Sequence, residues 1–179
     1  MIKKTKPPIS NLKKIKVLAM DVDGILTNGE IIVQGDGKET KIYNVQDGFG
    51  IVVFQKFGYK TAIITARSAT AVAARAQDLK IHKVYQDAFP KTTAYEDMLK
   101  EFGVRDEEVC YMGDDLPDLP VLNRVGLAVT VPNAVEEAKK AADYVTRNPG
   151  GQGAVREVIE LIMKAQGTWK KALATFEKP

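Results

Sequence analysis

Ile15-Lys16-Val17-Leu18-Ala19-Met20-Asp21-Val22-Asp23-Gly24 runs from a short apolar stretch directly into two carboxylates and a glycine. An apolar run of this length, cut off by turn residues, is the signature of a buried strand. The pattern recurs at residues 61–65, 82–85, 109–112 and 127–131, with Tyr144-Val145 as a weaker sixth segment. Between them, residues 48–57, 69–79, 92–102 and 134–142 have the length and composition of helices that cover a sheet face. Strands that alternate with helices pair in parallel, because right-handed crossovers place the connecting helices on the sheet faces. The sequence therefore predicts an α/β fold.

One segment breaks the alternation. Residues 30–34 and 38–45 are rich in β-branched side chains, and Gly35-Asp36-Gly37 between them supplies a turn, so a β-hairpin inserted after the first strand is expected, a flap over about residues 29–46. Near the other end, Val155, Val158, Ile159, Ile162 and Met163 recur at helical spacing after the flexible Asn148-Pro149-Gly150-Gly151. A last helix or tail over residues 150–179 follows that hinge.

The chain has 179 residues and 19.7 kDa, suited to one domain spanning residues 1–179. Its 45% hydrophobic and 27% charged residues exclude wholesale disorder, and its net charge of +3 is too small to name nucleic acid as a partner. The longest charge-free run, between Arg124 and Glu136, falls well short of the roughly 20 apolar residues of a membrane span. Pro7 and Pro8 follow Lys3, Lys4 and Lys6 where a signal peptide would need its apolar core, so a cytoplasmic protein is expected. With one Cys110 and one His82, no site of nitrogen and sulfur ligands can be assembled, and any metal must be held by oxygen. His82 reads as a structural strand residue, Cys110 as a small buried apolar one, and the Lys-rich ends as solvated tails.

In an open α/β sheet, ligands bind beyond the carboxyl ends of the strands. The polar residues found there are Asp21 and Asp23, Thr65, Lys91 at a helix start, and Asp114 with Asp115. Taken singly, these have structural explanations. Asp-x-Asp-Gly occurs in turns, Thr65 can bond backbone, and Asp115 can cap the Leu116 segment. Lys91 is harder to explain that way, because a cation in the first helical turn opposes the helix dipole. Several carboxylates at one edge repel one another unless a cation intervenes, and an oxygen-only ligand set suits Mg²⁺ shared with a phosphate. A carboxylate beside Mg²⁺ can attack phosphorus, and a second carboxyl two residues on can protonate the leaving alcohol and later activate water.

Asp21-Val22-Asp23-Gly24-Ile25-Leu26-Thr27, Thr65, Lys91 and Gly113-Asp114-Asp115 resemble, in this order, the four motifs of the haloacid dehalogenase-like phosphatases. The resemblance implies a Rossmann-like sheet, Asp21 as nucleophile and Asp23 as general acid and base. It implies Thr65 and Lys91 as ligands of the phosphoryl oxygens. Mg²⁺ would be held by the Asp21 carboxylate, the Asp23 backbone carbonyl and Asp114, with Asp115 and Asp118 in support. The gaps from Asp23 to Thr65 and from Thr65 to Lys91 leave no room for a cap domain, so another subunit is expected to supply the lid. A hairpin this exposed gains by packing against copies of itself, and a homo-oligomer, a tetramer, is expected.

Further stretches, Asn44 to Gly50, Ile64-Thr65-Ala66-Arg67-Ser68, Arg75 to Leu79 and Gly150 to Glu157, resemble capless members of the family that act on sugar-acid phosphates. Gly24, Arg67, Arg75 and Asp115 are then expected to contact substrate. Relatives acting on nonulosonate 9-phosphates carry Glu where Arg67 stands, so Arg67 favours an octulosonate 8-phosphate; its guanidinium suits a carboxylate remote from the phosphate. Ala66 replaces the family's usual Gly. A receiver domain uses similar parts, but there the phosphorylated Asp follows an acidic pair, whereas here Thr65 and Lys91 precede Asp114-Asp115. An idle oligomerisation module of this fold would not need the intact catalytic set.

Overall fold

A computed structural model describes residues 7–177 of the chain. Its elements are α1 (Ile9–Leu12), β1 (Val17–Met20), β2 (Ile32–Val33), β3 (Glu39–Thr40), α2 (Val45–Lys56), β4 (Lys60–Ile64), α3 (Thr70–Asp78) and β5 (Lys83–Tyr85). There follow α4 (Lys91–Phe102), β6 (Val109–Met112), α5 (Leu119–Leu122), β7 (Leu127–Thr130), α6 (Glu136–Ala141), β8 (Tyr144–Val145), α7 (Ala154–Ala165) and α8 (Thr168–Ala174).

Six strands form one sheet in the order β5-β4-β1-β6-β7-β8, and every neighbouring pair is parallel. The central strands β1, β6 and β7 are buried at every position, which is why they read as unbroken apolar runs. The edges β5 and β8 are shorter and partly exposed. Helices α1, α2, α7 and α8 pack together on one face, and α4, α5 and α6 on the other. On α7, the five apolar residues picked out by spacing are all buried.

Register places the site. Met20 is level with Ile63 on β4 and Met112 on β6, so the residues that leave these three strands emerge side by side. The chain moves outward from β1 in opposite directions, through β4 to one edge and through β6 to the other. This reversal opens a crevice at the carboxyl ends of β1, β4 and β6.

The inserted hairpin is present, and shorter than its β-branched composition suggests. Its ladder pairs Ile32 with Thr40 and Val33 with Glu39, and residues 41–44 already leave it. Helix α2 begins at Val45, inside the expected second arm, because the Asn44 side chain accepts from the backbone N–H groups of Gln46 and Asp47 and so caps it. The Lys-rich C-terminal end is helical rather than a solvated tail: α8 buries Ala172, and Trp169 packs on the core beneath the Arg156 guanidinium. Lys3, Lys4 and Lys6 lie outside the described residues. Among the described residues, no helix is long and apolar enough to cross a membrane. Cys110 is fully buried, and burial pushes its thiol well above the usual range.

Candidate active site

The crevice holds a cavity of about 300 Å³ lined by Asp21, Asp23, Thr65, Arg67, Lys91 and Asp114, with Ala66, Asp115 and Asp118 also on its wall. Asp21 directly follows β1, and its N–H bonds the Met112 carbonyl at 2.9 Å, so the ladder itself fixes this residue. The turn behind it is held by Thr27, whose buried hydroxyl accepts from the N–H groups of Gly24 and Gly29. Gly150 and Gly151 press on this turn from behind. A Cβ on Gly150 would lie 1.7 Å from the Gly24 carbonyl oxygen, and one on Gly151 2.5 Å from the Thr27 carbonyl carbon.

Lys91, the first residue of α4, is almost fully buried. Its ammonium lies 2.6 Å from Asp118 Oδ1, 3.1 Å from Asp21 Oδ2 and 3.4 Å from the Tyr111 hydroxyl. Burial pulls the Lys91 pKa down, but the Asp21 and Asp118 charges outweigh it and leave the pKa raised. Opposing the α4 dipole is thus compensated by two carboxylates. Asp118 Oδ1 also accepts from Tyr111 at 2.6 Å, and Oδ2 accepts from the N–H groups of Asp114 and Asp115 at 2.9 and 3.1 Å.

Three of these carboxylates differ in what their oxygens already bind. One oxygen each of Asp21, Asp114 and Asp118 fall within 4.8 Å of one another. Asp118 has both oxygens committed to four donors, and so acts as the brace beneath the loop. Asp21 Oδ1 and Asp114 Oδ1 are buried with no hydrogen-bond partner among the described residues. Two bare, buried carboxylate oxygens on neighbouring acidic residues are a poor arrangement without a cation and a suitable one with it. Burial, with the Asp118 charge added and Lys91 opposing, raises Asp21 to about 6. Burial and then the Asp21 charge raise Asp114 to about 7. The oxygen-only donor set fits a hard divalent ion.

Asp115 is exposed at the rim and accepts from the Leu116 N–H, the capping role its residue type suggested, while also lining the cavity. Gly24 is not on the wall; it serves the site by letting the Asp114 carboxylate approach. Thr65 is buried at the end of β4, its oxygen accepting from the Arg67 N–H at 3.3 Å. Arg75 is the candidate that the structure leaves outside: its guanidinium pairs with Asp78 at 2.7 Å and stacks over Tyr43, and it does not line the cavity.

Two hairpin residues enter the site without having been singled out from the sequence. Lys41 lies 2.6 Å from Asp23 Oδ1 and 3.3 Å from Glu39 Oε2, and Glu39 in turn pairs with Arg67. Tyr111 is a third, hidden because a strand tyrosine carries no local mark of its partner.

Comparison with known proteins follows the same lines. A family model described as haloacid dehalogenase-like hydrolase matches residues 80–159. The 3-deoxy-D-manno-octulosonate 8-phosphate phosphatase KdsC of Escherichia coli (strain K12) is 43% identical over 164 residues, 92% of this chain and 87% of that protein. The chain belongs to the 3-deoxy-D-manno-octulosonate 8-phosphate phosphatase family. A crystal structure of a family member from Moraxella catarrhalis, in complex with magnesium ion, phosphate ion and KDO, superposes with a TM-score of 0.92 at 44% identity, covering 94% of this chain and 97% of that one. The cobalt-bound member from Haemophilus influenzae gives 0.85 at 35% identity, covering 88% and 92%. The 3-deoxy-D-manno-octulosonate 8-phosphate phosphatase family thus includes solved members that hold a divalent ion, as the bare carboxylate pair here would suit.

Proposed function

We propose that this chain is a Mg²⁺-dependent phosphatase that hydrolyses 3-deoxy-D-manno-octulosonate 8-phosphate to the sugar acid and inorganic phosphate, a cytoplasmic step of lipopolysaccharide precursor synthesis. The observation that carries the reading is the meeting of Asp21, Asp23, Thr65, Lys91 and Asp114 on one cavity, with Asp21 Oδ1 and Asp114 Oδ1 left bare. The family relatives supply the substrate.

In this reading an Asp21 carboxylate oxygen attacks phosphorus, the bond to the sugar oxygen breaks, and Asp23 gives that oxygen its proton. Water then attacks the aspartyl-phosphate and gives a proton to the Asp23 carboxylate, breaking the bond from phosphorus to Asp21 and freeing Asp21 and phosphate. Lys91, 3.1 Å from Asp21 Oδ2, holds the nucleophilic carboxylate in place, and its charge with the Thr65 hydroxyl steadies the phosphoryl oxygens. Asp21 and Asp114, with the Asp23 backbone carbonyl, would hold Mg²⁺, which supplies charge neutralisation for the incoming phosphate. Arg67, on the rim, is suited to the substrate carboxylate once it exchanges Glu39 for it.

The reading takes residues 1–179 as one phosphatase domain and extends to assembly. Ile31, Ile32 and Val33 expose apolar surface on a two-stranded ribbon, and packing among four copies would cover it and the mouth of the cavity. The test is release of inorganic phosphate from octulosonate 8-phosphate, nonulosonate 9-phosphate and simple sugar phosphates, each with Mg²⁺. Preference for the octulosonate is expected; preference for another class, or no release, overturns the assignment.

A further inference from the structure

The hairpin reaches the site through Lys41, the residue that follows β3. Residues 28–38 are exposed, yet the Lys41 side chain is only 3% exposed, because it turns inward from the end of β3 onto Asp23. The contact distinguishes the two oxygens of that carboxyl. Oδ1 is held by the Lys41 ammonium at 2.6 Å, whereas Oδ2 is buried with no hydrogen-bond partner among the described residues, the Arg67 Nε being 3.7 Å away. The two oxygens are thus unequal, one engaged by an ammonium and the other without a partner. Glu39, two residues before Lys41, fastens the same ribbon to Arg67 on the opposite rim, so the two clasps close together.

The geometry points to Lys41 as a positioning residue for proton transfer: it fixes Asp23 by Oδ1 so that Oδ2 presents the proton to the departing sugar oxygen, and it ties this alignment to closure of the hairpin. The inference rests on the phosphatase reading above and deepens it. In the step concerned, the phosphorus–oxygen bond to the sugar breaks, the Asp21–phosphorus bond forms, and the proton passes from Oδ2 to the leaving oxygen.

An alkoxide must be protonated as it leaves, whereas a nitrophenolate leaves without help, so the two esters separate this role from phosphate binding or folding. kcat/KM for octulosonate 8-phosphate and for p-nitrophenyl phosphate is to be measured in the full chain and in Lys41→Met, with circular dichroism melts as a check of folding. The expected result is a loss on the sugar ester at least tenfold greater than on the aryl ester, partly restored in Lys41→Arg. Should Lys41→Met not fold, Lys41→Gln enters the same comparison. Equal losses on both esters, a greater loss on the aryl ester, or no loss overturns the role of Lys41. Failure of the unsubstituted chain to release phosphate from either ester overturns the phosphatase reading itself, and the inference with it.

Discussion

The place a Cβ on Gly24 would take is already filled by Asp114, whose Oδ2 lies 2.0 Å from that point. Gly24 also has φ +86°, a conformation that side chains with a Cβ rarely adopt. The turn after the first strand and the loop after β6 are therefore fitted to each other through a missing side chain.

Gly24→Ala is expected to push the Asp114 carboxylate away and strain the turn. A displacement of this size near a reacting centre costs about 10²-fold in rate. A Mg²⁺ titration of phosphate release should show both a lower maximum and a higher half-saturating concentration; an unchanged half-saturation would show that Asp114 does not serve the ion.

Asp21→Asn should abolish phosphate release, and Asp23→Asn should lower it by about 10²- to 10⁴-fold, the usual contribution of a general acid and base. Both variants remove charge from a crowded cluster, so both should fold. Melting curves together with phosphate assays check this, and near-normal turnover in either variant would defeat its assigned role.

Asp21 and Asp114 bring a pH dependence whose sign follows from their raised values. Below about pH 4 the carboxyls are protonated in folded and unfolded chains alike, and their protonated form costs the fold nothing. As pH climbs through about 6 and about 7, the unfolded chain has released these protons while the fold must give them up against burial and mutual repulsion, so stability falls. The metal-free protein in EDTA should accordingly melt at lower temperature near neutral pH than near pH 5, and Asp114→Asn should flatten that trend. Added Mg²⁺, taking the place of the protons, should bind more tightly and stabilise more as pH rises; a flat melting profile in EDTA would contradict the pairing.

Arg67→Ala should weaken sugar-acid phosphates far more than an aryl phosphate lacking a carboxylate. A charge-assisted hydrogen bond is worth about 1.5–3 kcal/mol, or roughly 10- to 150-fold in kcat/KM. Similar losses on both substrates would leave Arg67 as a clasp for Glu39 and nothing more.

Much of this arrangement can be read along the chain, for a physical reason. Parallel strands buried on both faces must be apolar throughout, so β1 and β6 announce their ends, and the carboxylates that follow them are conspicuous. Lys41 gives no such notice: its partner Asp23 is 18 residues away, and its neighbours look like an exposed hairpin arm. Tyr111 is hidden for the same reason, since its role appears only once Asp118 folds beneath the loop. Arg75 shows the opposite case: its motif suggests substrate, while in the fold its guanidinium pairs locally with Asp78, three residues on. Helix α8 is disguised because Lys170 and Lys171 stand between Trp169 and Ala172, the two residues by which it seats.

The contact of Gly150 and Gly151 with the backbone of residues 24 and 27 leaves a mark on how this chain can be rebuilt. Two segments more than a hundred positions apart share one seat, so neither can be exchanged for a homologous piece without its counterpart. New termini opened by circular permutation would be tolerated at the tip of the ribbon, around Asp36, and would be ruinous between Asn148 and Gly153.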